Sequence, residues 1–356
     1  LTASRIPSEG VIVSLERLNE ITLEEVGRIR VGPAVTLNKL QSFLVSTNWF
    51  YPPNPTETWA SLGGTLATNA SGSRSYKYGV TRDYVEEVEL VLVDGKKTIV
   101  KRGLKITEPL KFEDGSHISF PEISYQSPEC KNAAGYYVHP GMDWLDLFIG
   151  SDGTLGIFTK IVLRLLPCPI DFVSGVLFFE DETSCWKLIP KIKAFNGQKI
   201  APCSLEYFDH NALDKLKSRH QNIPPHSRAA LFFEQDVDQL EDYDSVMENW
   251  YEFLSEEKIM LDNSWFAQGA KDIQKFHDFR HDIPIIINEE NSRAGKVKLG
   301  TDMAVTDNHF ISMMEFYKKT LANNGLDYVM FGHLGDNHLH INLLPDASQR
   351  EYAHQV

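Results

Sequence analysis

Apolar residues recur with two different periods along this chain, and the change between them divides it. The first part is strand-like. Residues 85–93 alternate as VEEVELVLV, Asp94 and Gly95 form a hairpin signal, and residues 98–101 predict the returning strand. Residues 11–15, 31–37 and 157–166 predict three further strands. Leu37, Leu40, Phe43 and Leu44 recur at helical spacing and predict a short helix over 37–47. Pro52, Pro53 and Pro55 then fix an extended loop. Residues 104–130 are polar and irregular, and Pro167 and Pro169 place a boundary at 167.

Beyond that boundary strands alternate with helices. Strands are predicted over 172–179, 204–208 and 229–234, and helices over 183–195, 211–217, 240–254, 273–287 and 308–323. Trp186 and Ile189 mark the inward face of the first helix, and Val246, Trp250 and Leu254 that of the third. Pro284 is expected to break or kink the fourth. Gly325 suits a C-terminal cap for the fifth. The pattern predicts an α+β fold in which helices cover one face of a sheet. The two expected domains are 1–167 and 168–356.

Composition narrows the partners. A chain of 356 residues has ample material for two cores. Its formal net charge of −14 repels phosphates, which argues against nucleic acid as a partner. Cys130, Cys168, Cys185 and Cys203 are scattered without metal-site spacing, so free thiols in a reducing compartment such as the cytoplasm are expected. No apolar run is long enough to span a bilayer and no signal peptide opens the chain. Peripheral membrane association and a homodimer both stay open.

Two stretches carry chemistry. Residues 62–83 read LGGTLATNASGSRSYKYGVTRD. Small residues at this density let a flat ligand or a diphosphate approach the backbone, while Leu62, Leu66 and Val80 anchor the stretch as no flexible linker requires. Arg74, Lys77 and Arg82 follow and are available to answer ligand charge. A second glycine run, IGSDGTLGIFT, covers 149–159. The other chemical stretch is VMFGHLGDNHLHINLL, residues 329–344. Gly335-Asp336-Asn337 reads as a turn, after which His338, His340 and Asn342 share one strand face and Leu339, Ile341 and Leu343 the other. His333, before the turn, can swing back towards His340. Two converging imidazoles suit a divalent ion such as zinc.

The run YPPNPTETWASLGGTLATNASGSRSYKYGVTRD resembles the FAD-binding core of the vanillyl-alcohol-oxidase-type flavoproteins. Within them it is most similar to the D-2-hydroxyacid dehydrogenases, which oxidise D-lactate, D-2-hydroxyglutarate or glycolate. The second glycine run, the KNAAGY segment at 131–136 and the Gly332-His333-x-Gly335-Asp336 run follow in family order. Asp152, Asn337 and His338 stand where that family has Glu, Gly and Asn, and Ala3 and Ser4 depart from its usual glycines.

The resemblance implies a two-part FAD-binding domain whose opening part precedes this sequence, followed by a ferredoxin-like α+β substrate domain. It implies noncovalent FAD held by Thr2 and Ser4, by Pro53 and Thr56, by Gly63, Gly64, Ala67, Thr68, Asn69, Ser71, Gly72, Gly79 and Val80, by Gly153, Gly156 and Ile157, and by Asn342. His333 and His340 would be metal ligands, and a further Glu-His segment would lie beyond Val356. Phe276 and Arg280 match a family motif whose Arg grips the substrate carboxylate, with Lys298 as a second cation. His340 and His338 complete the expected catalytic set. The partners implied are a small 2-hydroxy acid and an electron acceptor, whether quinone, electron-transfer flavoprotein or cytochrome. A flavoenzyme for another substrate, a non-catalytic flavin-binding subunit and a metal-dependent hydrolase are the alternatives.

Overall fold

The structure is a computed structural model, and it describes residues 9–25, 27–197, 199–259, 261–267 and 269–356. Thr2 and Ser4 lie outside the described residues.

The first sheet is built from β1 (Ile21–Leu23), β2 (Arg28–Val31), β3 (Val85–Val91), β4 (Lys97–Lys101) and β5 (Ile157–Arg164), in the order β1-β2-β5-β3-β4 with antiparallel ladders. Ile29, Val31, Val88, Leu90, Val100 and Ile161 bury its inner face against the helix Leu37–Leu44 and the segment Trp144–Phe148. Thr36 starts that helix by accepting the Lys39 N–H, so its side chain supplies the N-cap.

Two expected strands are corrected here. Residues 31–37 are not a strand, because β2 ends at Val31 and the chain turns at Gly32 and Pro33. A Cβ on Gly32 would lie 2.1 Å from the Leu18 carbonyl oxygen, and Pro33 brings no N–H to a ladder. Residues 11–15 have no strand partner among the described residues, and Val11 is 91% exposed.

The second sheet has seven strands: β6 (Asp171–Phe179), β7 (Ser204–Asp209), β8 (Ala229–Val237), β9 (Trp265–Phe266), β10 (Leu299–Ala304), β11 (Tyr328–His333) and β12 (His338–Leu343). Their order is β9-β6-β8-β7-β11-β12-β10, again antiparallel. Helices cover both faces, not one. Trp186, Trp250 and Met314, from the helices Glu182–Phe195, Tyr243–Glu256 and Phe310–Asn324, pack with Leu177, Tyr207, Phe233, Leu339 and Ile341. On the other face Leu213 and Leu216 of His210–Leu216, and Phe276, Phe279 and Ile283 of Ala270–Ala294, pack with Phe178, Phe208 and Phe232. Strands β6 and β8 carry runs of successive apolar residues because both of their faces are buried.

Pro284 does not end its helix, which runs for 25 residues from Ala270 to Ala294. The proline removes one N–H and leaves the Arg280 carbonyl without its helical donor. Ile283, Ile286 and Ile287, buried on the sheet, hold the helix through that position.

Candidate functional site

Strand alternation puts one polar row on the sheet face covered by Ala270–Ala294. Leu339, Ile341 and Leu343 belong to the opposite core, so His338, His340 and Asn342 point to this face. The ladders then fix the neighbours. His333 is opposite Glu206 on one side and His338 on the other, and Asp302 is opposite His340. Asn337 takes the left-handed conformation at the turn, φ 51°, which Asn tolerates better than most residues. Its side chain is held by Asp307 at 2.7 Å and Lys193 at 2.8 Å.

The three imidazoles converge. Each of His333, His338 and His340 offers a nitrogen, and the three lie within 4.8 Å of one another. One ring nitrogen of each meets a carboxylate. His333 Nδ1 is 2.6 Å from Glu206 Oε1, His338 Nε2 is 2.5 Å from Asp302 Oδ1, and His340 Nδ1 is 2.7 Å from the same Asp302 oxygen. Such carboxylates orient imidazoles towards a metal or a substrate. Burial by itself would raise the Glu206 carboxyl, yet His333, Arg280 and His340 hold it below the ordinary carboxylate range. Asp302 is likewise pulled well down, against burial, by the hydrogen bonds with His338 and His340. Burial lowers His333, with Glu206 opposing it. Neither Glu206 nor Asp302 stands out from the sequence. A carboxylate inside the strand SLEYFD is the one signal for Glu206, and a strand assignment for 299–304 would have been needed to place Asp302.

Arg280 is buried on the helix above this row. It does not pair with Asp278 or Asp282; Asp282 is held by Arg219 and His220, and Asp278 accepts from Gln274. Burial lowers its pKa, opposed first by Glu206 and then by Glu234. Lys298 precedes β10 by one residue and lies four residues from Asp302, which at strand rise is about 13 Å along the sheet.

The glycine-rich block and His338 line one cavity of about 290 Å³. Thr68, Asn69, Ala70, Ser71 and Val80 line one side, Lys131 to Ala133 the rim, and Asp302 and His338 the other side. Gly63 and Gly64 lie in the helix Leu62–Ala67, which Ser61 caps through the Gly64 N–H. A Cβ on Gly72 would sit 2.1 Å from the Asn54 carbonyl oxygen, so the proline loop and the block approach as only glycine allows. The second glycine run packs on the end of the first: Gly150 N–H donates to the Leu66 carbonyl at 3.0 Å and Asp152 N–H to that of Ala67 at 2.7 Å. Pro53 is buried beside them, whereas Thr56, Gly153 and Ile157 are exposed; Gly79 and Gly156 adopt positive φ of 78° and 157°.

The cations after the block have other duties than the ones expected of them. Arg82 donates to the Asp146 and Ile149 carbonyls, the latter at 2.6 Å. Arg74 donates to Glu234 at 2.7 and 3.1 Å and lies over the Phe172 ring, and Lys77 meets Asp236 at 2.7 Å. Asp336 in the histidine turn accepts from Lys131 at 2.7 Å and from Ser75, and Tyr76 packs on Gly335. Residues of the first half therefore seat the histidine hairpin. Among the described residues no helix is long and apolar enough to cross a membrane.

Comparison with known proteins agrees with this geometry. Residues 1–100 match the family described as FAD binding domain, and residues 169–356 match FAD linked oxidases, C-terminal domain. The chain is 28% identical to a D-lactate dehydrogenase of Anaerostipes hadrus, over 98% of this chain and 67% of that protein. It is 26% identical to the glycolate oxidase subunit GlcD of Bacillus subtilis, over 100% of this chain and 68% of that one. A solved alkyldihydroxyacetonephosphate synthase shares the fold with a TM-score of 0.63 at 14% identity, over 95% of this chain and 59% of that chain. The chain thus spans about two thirds of the length of these relatives, and it belongs to the FAD-linked oxidases.

Proposed function

We propose that this protein is a FAD-linked dehydrogenase that oxidises a D-2-hydroxy acid to the 2-keto acid. The observation that carries the reading is the cavity whose walls are the glycine-rich block on one side and Asp302 and His338 on the other. The residues present fit FAD: the half-buried Thr68, Asn69, Ala70 and Ser71 line the cavity with short side chains that leave room for a flat ring. FAD, when bound, supplies the hydride acceptor for the hydroxyl-bearing carbon. In this reading residues 1–167 carry the flavin, held noncovalently, and residues 168–356 carry the substrate side.

The chain's own residues divide the remaining work. Arg280 grips the substrate carboxylate with its planar fork. His333 and His340 are the ligands for a divalent cation such as zinc, which would polarise the substrate hydroxyl. His338 takes the hydroxyl proton. Its Nε2 is held by Asp302, and the residue lines the cavity beside the glycine-rich block. Lys298, about 13 Å along β10 by strand rise, would meet only a substrate that reaches that far. Turnover further requires an electron acceptor, for which a quinone, an electron-transfer flavoprotein or a cytochrome is the class. The four cysteines are free, in keeping with a reducing compartment.

The test is an anaerobic absorbance spectrum of the full-length protein before and after a panel of D-2-hydroxy acids. Bleaching of the flavin by one of them supports the reading. A bound flavin that no 2-hydroxy acid bleaches overturns it.

A further inference from the structure

A second group of metal-ligating side chains gathers at the end of β7, apart from the histidine row. Glu182 opens the helix Glu182–Phe195, Asp209 ends β7, and His210 opens the helix His210–Leu216. Glu206, which meets the row, lies three residues before Asp209, about 10 Å by strand rise, and alternation turns the two to opposite faces. One oxygen of each carboxylate and one nitrogen of His210 lie within 4.8 Å of one another. His210 Nδ1 is 2.9 Å from Glu182 Oε1. Asp209 is wholly buried. Its Oδ1 accepts the Ala212 N–H at 2.8 Å, while its Oδ2 is buried without a hydrogen-bond partner. Tyr207, two residues earlier on the same strand face, also carries a buried hydroxyl without one. Interiors seldom leave a carboxylate oxygen and a neighbouring hydroxyl unanswered.

We propose that Glu182, Asp209 and His210 bind a zinc ion, at a site separate from the histidine row and independent of the dehydrogenase reading. Two carboxylate oxygens and one imidazole nitrogen are a donor set that zinc accepts, with a water as fourth ligand. The two carboxylates cancel the charge of the ion, and the Tyr207 hydroxyl is there to accept from its water. His210 also lines a surface cavity of about 490 Å³ with Asp214, Glu290 and Asp327, whose charge draws cations to it; Lys215 in that cavity is held by Glu290. Lys318 is the competing cation, with Nζ 3.6 Å from Glu182 Oε2. Without the ion, burial keeps a proton on Asp209 up to about pH 7, which an entering cation displaces. The helix of Glu182 packs on one face of the second sheet and that of His210 on the other. One ion therefore ties both helical layers to the end of β7.

The experiment strips the full-length protein with EDTA at pH 7.5, reloads it with zinc alone, and counts the zinc retained through gel filtration. Glu182→Gln and His210→Gln are each expected to retain one equivalent less than their parent, both in the wild type and in a His333→Ala background, where the histidine row is disabled. In that background, zinc at a hundred times its dissociation constant should raise the folding equilibrium about a hundredfold over EDTA, read as a shift of the urea midpoint, and Glu182→Gln should lose the shift. Lys318→Gln removes the competing ammonium from an exposed side chain, and zinc affinity should rise roughly two- to fivefold. Equal zinc in Glu182→Gln and its parent overturns the proposal. Zinc that is retained but leaves the midpoint where EDTA leaves it is an adventitious ion only, and overturns it too. If Glu182→Gln fails to fold, Lys318→Gln decides, and an unchanged affinity there overturns the site. No outcome touches the dehydrogenase reading, which the flavin spectrum tests by itself.

Discussion

Arg74 and Glu234 form a buried two-pronged pair, at 2.7 and 3.1 Å, that joins the end of the glycine-rich block to the middle of the second sheet. Burial would raise the Glu234 carboxyl, but Arg74 and His277 hold it far below the usual range. Removing one partner leaves a charge stranded in the interior. Arg74→Met is therefore expected to destabilise the protein by about 3–5 kcal/mol, and Arg74→Met with Glu234→Leu to recover much of that loss. Urea unfolding of the two variants decides the matter. A single variant as stable as the wild type would mean that the pair does not join the halves.

Glu206 meets the active-site row through a hydrogen bond to His333. Glu206→Gln keeps the shape and loses the charge that orients the imidazole. Turnover and metal content are expected to fall about 10- to 100-fold while bound flavin stays constant. Metal analysis beside the flavin spectrum reads both. A variant with full metal and full activity would remove Glu206 from the site.

Arg280 offers a more selective test. Arg280→Lys retains a positive charge but not the fork that holds two carboxylate oxygens at once. Loss of a charge-assisted hydrogen bond of about 1.5–3 kcal/mol predicts an affinity for the acid ten- to a hundredfold weaker. The dissociation constant, read from the perturbed flavin spectrum with the keto acid product, should rise by that factor. An unchanged constant would send the carboxylate elsewhere.

The parts of this site that repeat locally were legible in the sequence, and the parts made by pairing distant strands were not. The period of two in residues 338–343 puts His338, His340 and Asn342 on one face, and the hairpin with His333 follows from the Gly335 turn. Glu206 and Asp302 come to that hairpin from strands about 130 and 35 residues away, through β7–β11 and β10–β12 pairing, which no local pattern specifies. Arg74, Lys77 and Arg82 show the converse error. Cations next to a glycine-rich block suggest an anionic ligand, but each has a carboxylate or carbonyl partner that only the tertiary fold supplies. Helices on both faces were missed for a related reason: three of the helices lie where sheet order sends the chain back across the opposite face.

Gly72 tests the flavin side without touching the histidines. Its missing side chain is what lets the Asn54 carbonyl approach, since a Cβ there would lie 2.1 Å from that oxygen and 2.2 Å from its carbon. Both obstacles are backbone, so the loop itself must move. Gly72→Ala is expected to cost about 1–3 kcal/mol by overpacking. More tellingly, it should lower the flavin retained through gel filtration. Full flavin occupancy in this variant would show that the close approach at Asn54 does not shape the flavin site.

Asp209 makes stability depend on pH in the direction opposite to most carboxylates. It caps the helix His210–Leu216 by accepting the Ala212 N–H at 2.8 Å, yet it is wholly buried, and burial outweighs that bond to push its carboxyl up to about 7. An unfolded chain releases this proton near pH 4. Between about pH 4 and pH 7 the folded protein thus holds a proton that the unfolded chain has lost. The contribution of Asp209 is complete below pH 4, shrinks as pH rises, and levels off above pH 7. Asp209→Asn keeps an oxygen for the cap and cannot ionise. Relative to the wild type, its stability should improve by roughly 2–3 kcal/mol between pH 5 and pH 7.5. Urea midpoints of the two proteins at both pH values measure this double difference, and a value near zero would place the Asp209 proton outside the folding equilibrium.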